Sequence, residues 1–529
     1  MLGTLITADY AAASVVTSVA VLAVLYKKLK FSLANGKNAI PFPPGPPARW
    51  FWSNALPSVN IARALTDLVR EYGPVVSFRQ GSQVIIVIGS VEATTTIMET
   101  EGRSLVDRPP SIAAGEMLSN GMRIVMARSG ERFRRLRKAV HTHLQPKAAD
   151  AYKDVQHDNA SKFVLDILND PKDHQKHAAR YSASVILRVT YGKSTPTSYT
   201  DPEVIRIYKV LDHFELVMRP GAYLVDRVPL LRYLPGYGRQ LTEWHNEELS
   251  LYRHQLGRVK SEIEQNKASP SFTKTLLEHT EDHQLATDEM AYLAGTLFGA
   301  GADTAIQTAV GITTAIMAAA CHPLAQAKVH EELDMIVGSD RVPTFKDLSS
   351  LPQLHAFILE ALRWRPVIPI GFPHRATRDI IWVGVLNRWR NPRSYYSVCN
   401  QQGYCIPEGA TVYGCHWAIC RDPIAFPDPD KFDPQRWLDS DGHLKDNMKS
   451  FTFGFGRRVC PGRHLAENSM YIGLALLFWS FRIDQRPDAL INTQASDSVV
   501  SHPAPFEIDV IPRIEVARLR EMMADESIY

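Results

Sequence analysis

Apolar residues recur at helical spacing over most of this chain, and alternating β-branched runs are confined to short stretches. The longest helical pattern covers residues 288–321, with Thr287 as its expected N-cap and Pro323 just beyond its end. At about 1.5 Å per residue this helix would span about 50 Å, and its all-round apolar character predicts burial. Residues 75–88 (VVSFRQGSQVIIVI) predict a β-hairpin around a Gly-Ser turn. The pattern therefore predicts a mainly α-helical protein with small β-sheets, an α+β fold.

The N-terminal segment is apolar enough to cross a bilayer. Residues 2–26 contain one charged residue, Asp9, and the lysines follow afterwards at Lys27, Lys28 and Lys30. A cleaved secretory signal is the alternative, but such signals carry their positive charge before the apolar stretch. We expect residues 1–26 to be an uncleaved transmembrane anchor whose C-terminal side faces the cytosol.

A basic and proline-rich segment, residues 27–50, follows the expected anchor. Its PFPPGPP run at residues 41–47 cannot continue a helix and predicts a stiff, extended hinge. From residue 51 to residue 529 we find no internal repeat and no long low-complexity linker. We therefore expect residues 51–529 to form one large catalytic domain behind the anchor.

Composition narrows the class of protein. The 529 residues carry a net charge of only +3, which gives no support for a nucleic-acid partner because such proteins usually show a concentrated basic stripe. The six cysteines are scattered, as is typical of a reducing compartment rather than of a disulfide scaffold. We therefore expect a cytosolic domain that contacts a membrane and binds no nucleic acid.

A distinctive motif surrounds the cysteine at position 460. Phe453, Gly456, Arg458, Cys460 and Gly462 form F-x-x-G-x-R-x-C-x-G, in which the glycines allow tight turns or the approach of a large ligand. The apolar helix that follows directs the positive end of its dipole at the sulfur, which favours a thiolate and hence a metal ligand. A buried cysteine that packs as a small hydrophobe is the alternative. A zinc site would need further Cys or His ligands at regular spacing nearby.

This motif resembles the cysteine loop of the cytochrome P450 family, and its style is similar to that of fungal microsomal members. The resemblance implies the cytochrome P450 fold, heme b as cofactor and Cys460 as the axial ligand of the haem iron. It also implies that Phe453 and Gly462 belong to the cofactor-binding loop.

Residues 299–304 (GAGADT) place two glycines, an acid and a hydroxyl inside an otherwise apolar helix. Glycine weakens a helix by about 1 kcal/mol relative to alanine, and buried polar groups are costly unless they are satisfied. A kink between close-packed helices is the structural alternative. The segment resembles the family's A-G-x-D-T motif, which implies that Asp303 and Thr304 are catalytic and deliver protons to bound dioxygen.

Basic residues at three places resemble those that bind the haem propionates in this family. Arg137 lies four residues after Phe133, at the spacing of the family's W-x-x-x-R pair, although phenylalanine replaces the usual tryptophan. We expect Arg137, His374 and Arg458 to contact the propionates, with Arg375 as the second choice for His374. A further group on the same helix as Arg137 is expected to steer an acidic electron donor: Arg132, Arg135 and Lys138.

Glu360 and Arg363 lie three residues apart on one face of a predicted helix, which alone is a common surface pattern. Their position upstream of Cys460 resembles the family's E-x-x-R motif, and the FDPQRW run that contains Arg436 resembles its downstream partner. The resemblance implies that Glu360, Arg363 and Arg436 form a buried structural network.

One segment departs from the family pattern. About twenty residues, 383–402 (VGVLNRWRNPRSYYSVCNQQ), separate Asp379 from the expected G-Y-x-I-P turn at residues 403–407. The segment reads as neither a polar loop nor an amphipathic helix. We interpret it as an atypical insertion that is either a surface loop or the translation of a retained intron.

The resemblance implies a monooxygenase that inserts one oxygen atom from O₂ into a lipophilic substrate such as a terpenoid, steroid, polyketide or polycyclic aromatic. No glycine-rich phosphate loop precedes a βαβ unit, so NADPH, FAD and FMN are expected only in a partner NADPH-cytochrome P450 reductase, with cytochrome b5 as a second candidate donor. The expected location is the endoplasmic reticulum membrane, single-pass, in secondary metabolism or xenobiotic oxidation. A haem-dependent isomerase or dehydratase, or an inactive paralogue, is the alternative.

Overall fold

The computed structural model describes residues 40–47, 54, 59–81, 83–193, 202–219, 221–383, 403–493, 500, 501 and 503–524, without the side chains of residues 203, 204, 208 and 300–307. Its longer helices are α1 (Ile61–Tyr72), α2 (Glu131–Leu144), α3 (Lys153–Asn169), α4 (His174–Tyr191), α5 (Pro202–Met218), α6 (Arg239–Glu264), α7 (Thr287–Cys321), α8 (Pro323–Ile336), α9 (Pro352–Trp364), α10 (Arg463–Ser480) and α11 (Val516–Ala524). Short α-helices lie at Val91–Ala93, Pro146–Ala149, Phe272–Glu278, Thr280–His283 and His416–Ile419, and π-helical turns lie at Thr94–Thr100 and Ile112–Leu118.

The strands are short, and they contain far fewer residues than the helices. They are β1 (Val75–Gln80), β2 (Gln83–Ile88), β3 (His374–Arg375), β4 (Ile380–Trp382), β5 (Tyr404–Ile406), β6 (Thr411–Gly414), β7 (Phe481–Gln485) and β8 (Ile508–Pro512). The described part is thus mainly helical with small sheets, which confirms the predicted α+β class.

Helix α7 lies in the middle of the helical layer and packs against α4, α6, α9 and α10. Its apolar side chains, such as Phe298 and Ile312, are fully buried, as the pattern predicted. The prediction of Thr287 as its N-cap is wrong, because Thr287 is already helical and Ala286 precedes it. The carboxylate of Glu289 accepts a hydrogen bond from the Ala286 N–H at 3.2 Å and so satisfies one donor of the first turn.

Two glycines on α7 allow helix α6 to approach closely. A Cβ at Gly295 would overlap the ring of Tyr252, and a Cβ at Gly299 would lie 3.3 Å from the Tyr252 hydroxyl. Packing therefore excludes a side chain at Gly295, and one at Gly299 would require a small shift of Tyr252.

Helix α10, directly after the cysteine loop, supplies a large part of the core. Every side chain from Ser469 to Ser480 is buried, and the helix packs on α3, α7 and α8. The Tyr181 hydroxyl of α4 donates to the Ser469 carbonyl at 2.9 Å, and the Gln156 amide of α3 donates to the Leu465 carbonyl at 2.8 Å. The C-terminal side of the cysteine loop is therefore fixed to the densest part of the protein.

A four-stranded sheet has the order β1-β2-β6-β3. Strands β1 and β2 are antiparallel with Val75 opposite Ile88, which confirms the predicted hairpin. Strand β6 runs parallel to β2 and antiparallel to β3, where His374 lies opposite Val412. The pairs β4–β5 and β7–β8 form two smaller antiparallel sheets.

The described part of the proline-rich segment, residues 40–47, is hydrogen-bonded to strand β1 of this sheet. The Ser77 N–H donates to the Pro44 carbonyl at 2.8 Å, and the Ser77 hydroxyl donates to the Pro43 carbonyl at 2.5 Å. A Cβ at Gly45 would overlap the Ser77 carbonyl, so only glycine fits there. The expected hinge is thus bonded to the folded domain at its C-terminal end.

The predicted anchor at residues 1–26 lies outside the described residues. Among the helices that the structure describes, none is by itself long and apolar enough to span a bilayer. The adjoining segments Thr308–Cys321 and Pro323–Ile336 reach that length only together, and they are bent by 106°.

Strands β4 and β5 pair across the atypical segment. Trp382, the last residue of β4, lies opposite Tyr404, the first residue of β5. Of the residues that connect them, the structure describes Val383 and Gly403. A Cβ at Gly403 would lie 2.9 Å from the side chain of Val383, and Gly403 has a φ of +76°. Because Val383 and Gly403 are already neighbours, they could connect the two strands as a two-residue turn.

Deletion of residues 384–402 should therefore leave β4 and β5 joined by Val383 and Gly403. We expect the variant to fold and to raise the free energy of unfolding by about 2 kcal/mol, because a short loop loses less entropy on closure than a long one. The midpoint of thermal unfolding measures this change.

Deletion of residues 383–402 is the matched control. It leaves a single residue between Trp382 and Tyr404, which cannot close an antiparallel pair in this register. This variant should unfold at a lower temperature than the 384–402 deletion. If both deletions lowered the midpoint of thermal unfolding by the same amount, residues 384–402 would contribute to the stability of the fold.

Candidate active site

The loop that carries Cys460 is shaped by glycine. The Cys460 N–H donates to the Phe453 carbonyl at 2.9 Å and closes the loop before Gly462 begins helix α10. Gly456 has a φ of +50°, and a Cβ there would lie 2.7 Å from the Met98 carbonyl. Its glycine is therefore required twice, by backbone conformation and by close packing.

The surroundings of Cys460 act on its pKa in both directions. Burial raises the pKa of the thiol, whereas the Gly462 N–H and the Arg137 guanidinium lower it. A metal ion at the sulfur would favour the thiolate, because cysteine binds metals in its deprotonated form.

Cys460 lines a cavity that several elements enclose. Its walls come from the cysteine loop, from helices α2, α5 and α7, from the segment before β3 and from the turn after β6. Much of the lining is apolar, and it includes Ile124, Val125, Phe133, Phe214, Ile368 and Phe372. Basic side chains line the rest, namely Arg108, Arg123, Arg137, His374, His416 and Arg458. Of the lining side chains that the structure describes, none is a carboxylate.

Arg458, predicted for a propionate, projects into this region from the loop itself. Its Nε and Nη2 donate to the carbonyls of Val106 and Ala127 at 2.7 Å each, and its guanidinium carbon lies 3.5 Å above the centre of the Phe133 ring. Burial lowers its pKa to about 10. Phe133 therefore holds Arg458 by a cation–π contact, a role that its ring fills without the N–H of the usual tryptophan.

Arg137 of helix α2 also lines the cavity. Its Nη2 donates to the Val459 carbonyl at 2.7 Å, next to Cys460. Burial lowers its pKa, and the nearby Cys460 opposes that shift. Arg137 is thus positioned both to fix the cysteine loop and to face an anionic ligand.

His374 is buried on strand β3, and its Nδ1 lies 2.7 Å from the Leu105 carbonyl. Since a carbonyl only accepts, Nδ1 carries the proton and a neutral His374 has no second N–H to donate. Burial, then the charge of Arg108, lowers its pKa well below the usual value. Arg375, the second choice, donates instead to Asp107 at 3.1 Å.

Arg108 lines the cavity, and the sequence reasoning missed it. It is buried, its Nε donates to the Val125 carbonyl at 3.0 Å and its Nη1 donates to the Pro373 carbonyl at 2.6 Å. Burial, then the charge of Arg458, lowers its pKa to about 9. The only sequence cue was a charged pair directly before two prolines, at residues 107–110.

A buried ion pair between Arg123 and Glu248 borders the same cavity. It was not predicted from the sequence. Arg123 donates to the Glu248 carboxylate, which also accepts from the hydroxyls of Tyr252 and Tyr292 at 2.9 Å each. The Arg123 guanidinium lies 4.1 Å from the centre of the Phe214 ring. This cluster joins helices α5, α6 and α7 above the cavity.

Asp303 and Thr304, the predicted catalytic pair, fall within helix α7. Their side chains lie outside the described residues. Thr296, two turns earlier on the same helix, lines the cavity, so α7 forms one of its walls.

The expected electron-donor patch remains a prediction, and two of its members also make contacts within the protein. Arg132 donates to Glu289 at 2.8 Å, and Arg135 donates to the Gln284 carbonyl at 2.5 Å, so both hold α2 against the start of α7. Lys138 is exposed and lines a groove with two other exposed basic residues, Arg134 and Arg457.

Glu360 is fully buried and is the centre of a hydrogen-bonded network. Arg363 donates to its two oxygens from Nε and Nη2 at 2.8 Å each. Arg436 donates from Nε at 3.1 Å, and the Trp437 ring N–H and the Asp433 backbone N–H donate at 2.9 and 2.8 Å. The structure thus brings together all three residues that the sequence named for this network.

The residues around the cavity fit a haem. Cys460 would hold the iron of the haem through its sulfur. Arg108, Arg137 and Arg458 surround the cavity with positive charge, which suits a cofactor whose edge carries two carboxylates. The apolar remainder of the lining suits the porphyrin faces and a lipophilic substrate. Fold and site together define a haem-thiolate protein.

Comparison with known proteins gives the family. The cytochrome P450 family profile matches residues 43–386 and 388–510, with its one break inside the atypical segment. Cytochrome P450 monooxygenase 64 of Postia placenta is 43% identical over 502 residues, which is 95% of this chain and 97% of the relative. Cytochrome P450 monooxygenase 113 of the same fungus is 44% identical over 496 residues, 94% of this chain and 96% of the relative. Cytochrome P450 monooxygenase fogE of Aspergillus ruber is 29% identical over 524 residues, 95% of this chain and 92% of the relative.

The chain belongs to the cytochrome P450 family, and it is an oxidoreductase of the monooxygenase class. The family implies heme b as the cofactor. The similar fungal proteins span nearly the whole of this chain.

Replacement of Glu360 by glutamine should strongly destabilise the protein. The side chain keeps its shape, but Arg363 and Arg436 lose their buried counter-charge, which costs on the order of 3–5 kcal/mol. The midpoint of thermal unfolding and the yield of folded protein measure the loss.

Glu332→Gln is the matched control. This carboxylate is also buried, but it accepts only from the backbone N–H groups of Gln353 and Leu354. Its replacement should cost about 1 kcal/mol. Similar losses for both variants would show that the arginines do not depend on Glu360.

Proposed function

We propose that this chain inserts one oxygen atom from O₂ into a lipophilic substrate, with electrons from NADPH through a partner reductase. The observation that supports the proposal is the convergence on one cavity of Cys460, the buried Arg108 and Arg458, the half-buried Arg137 and an apolar lining. The bound haem would supply the activation of dioxygen.

Each residue has a proposed role. Cys460 would bind the iron, and Phe453 and Gly462 would hold the loop at the required distance. Arg137, His374 and Arg458 would bind the propionates, for which His374 must be protonated if it is to donate from its second nitrogen. Glu360, Arg363 and Arg436 would keep the core under the loop in place without taking part in the chemistry.

Asp303 and Thr304 would carry protons to the distal side of the haem. Thr304 would hold a proton at its hydroxyl, and Asp303 would connect that hydroxyl to solvent. An acid and a hydroxyl at these positions favour a monooxygenase over a haem-dependent isomerase or dehydratase, which uses no O₂ and so delivers no protons to it.

Residues 1–26 are proposed to anchor the protein in the endoplasmic reticulum membrane, with the catalytic domain in the cytosol. Their apolar composition and the lysines that follow support this orientation. A lipophilic substrate partitions into a bilayer, so an anchored enzyme would meet it there. The fungal relatives are consistent with a role in secondary metabolism or in xenobiotic oxidation.

Replacement of Thr304 by alanine tests the proposed function. The full chain is expressed with a reductase in microsomes, and oxygenated products are sought across a panel of lipophilic compounds. In Thr304→Ala, NADPH consumption should continue while the product formed per NADPH falls by roughly tenfold or more, because protons no longer arrive in order.

Thr313→Ala is the control on the same helix, at a buried threonine nine residues further along. It should retain the wild-type ratio of product to NADPH. An unchanged ratio in Thr304→Ala would remove Thr304 from proton delivery. A wild-type protein that lacks the red-shifted Soret band in its reduced, carbon-monoxide-bound form would refute the monooxygenase assignment for this chain.

The exposed basic residues Arg134, Lys138 and Arg457 are proposed as the docking surface for the reductase, with cytochrome b5 as a second donor. They line one groove next to Phe133 and Arg137, close to the cysteine loop. Electrostatic steering by such a surface raises association rates with an acidic partner.

Charge reversal of all three residues to glutamate should slow the first electron transfer by roughly tenfold at low salt. The difference from wild type should shrink as the salt concentration rises, because ions screen exposed charges. Stopped-flow reduction under carbon monoxide measures the rate. Lys267→Glu, on an exposed residue after helix α6, is the control, and a similar loss there would argue against a specific surface.

A further inference from the structure

We propose that His416 is an additional cofactor-binding residue that donates a hydrogen bond to a haem propionate, an inference that depends on the haem of the proposed function. His416 begins the short helix His416–Ile419 directly after strand β6. Its side chain is 4% exposed and lines the same cavity as Cys460. Within the described part of the chain, neither of its ring nitrogens has a hydrogen-bond partner.

The surroundings of His416 are those of a binding group rather than of a satisfied core histidine. Its ring packs at 5.1 Å against the Phe455 ring, which His374 contacts from another side at 6.4 Å. A Cβ at Gly371 would lie 3.6 Å from Nε2, so this backbone is a close neighbour of that nitrogen. Burial lowers the pKa of His416 to about 4, and the nearby Ile368 carbonyl opposes this only in part, since its geometry to the ring is not that of a hydrogen bond.

A buried imidazole with two unsatisfied nitrogens is costly, and a native protein keeps one where a ligand or water completes it. A neutral imidazole always carries one N–H. His374 gives its N–H to the Leu105 carbonyl, whereas the N–H of His416 has no acceptor among the described residues. The family's cofactor brings two carboxylates into this cavity, and these are acceptors.

His374 and His416 therefore differ in whether their neutral form can donate a hydrogen bond to a ligand. The neutral form of His374 presents a lone pair at Nε2, and the neutral form of His416 has a proton to donate. With Arg108 and Arg458 on the same cavity, His416 adds a neutral donor to a site otherwise served by cations. Such a donor binds a carboxylate without adding a further buried charge.

The dissociation of haem from the full-length ferric protein tests the inference. Transfer to excess apomyoglobin is followed in the Soret band for wild type, His416→Leu and His416→Gln. Loss of a hydrogen bond to a charged group should speed dissociation from His416→Leu by roughly tenfold. His416→Gln, which keeps an N–H donor, should restore most of the wild-type rate. Wild-type dissociation from His416→Leu would overturn the inference.

His174→Leu is the matched control. His174 is also buried, its pKa is likewise lowered to about 4 by burial, and its Nε2 has no partner in the described part, but it packs on Phe506 away from the cavity. We expect wild-type haem dissociation from this variant. If His174→Leu speeds dissociation as much as His416→Leu does, the effect is structural and the inference fails.

Reconstitution with haem dimethyl ester identifies the group that His416 contacts. The esters lack the negative charge of the propionates, so the difference between wild type and His416→Leu should shrink with this cofactor, because a neutral ester carbonyl accepts a weaker hydrogen bond than a carboxylate. A tenfold difference that persists with the ester would overturn the propionate assignment in favour of a contact elsewhere in the cavity. A wild-type protein that takes up no haem would refute the proposed function. Normal haem uptake, together with a wild-type rate of haem dissociation from His416→Leu, would refute only the role of His416.

Discussion

Burial of positive charge around the cavity is the constraint on which the rest of this site depends. Arg108 and Arg458 are buried and Arg137 is half-buried, and burial lowers the pKa of each. Backbone carbonyls accept hydrogen bonds from all three, which offsets part of the cost but not the charge. An anionic cofactor would supply the compensating charge, so its binding and the stability of the surrounding segments are linked.

Next to the cysteine loop the buried charge is negative instead of positive, and basic side chains surround it. There a single buried acid, Glu360, is surrounded by donors from Arg363, Arg436 and Trp437. The loop itself is fixed between the Met98 carbonyl, which leaves no room for a side chain at Gly456, and the buried helix α10. The position of the sulfur therefore follows from packing on both sides rather than from the loop alone.

Features with a local signature could be predicted from the sequence. Helix α7, the β1–β2 hairpin and the glycines of the cysteine loop each follow from periodicity or from backbone conformation. Arg108, His416 and the Arg123–Glu248 pair could not be foreseen, because their roles arise from contacts between segments far apart in the chain. The rise that burial causes in the pKa of the Cys460 thiol could not be foreseen for the same reason, since burial is a property of the whole fold.

The contact between Gly45 and the Ser77 carbonyl has a mechanical consequence. Since no other residue fits at position 45 and the neighbouring prolines are bonded to β1, the polypeptide leaves the domain at one fixed point on the edge of the four-stranded sheet. Residues 41–45 therefore follow the sheet in one direction, and the sheet rather than the length of the segment sets the path of the chain where it meets the domain.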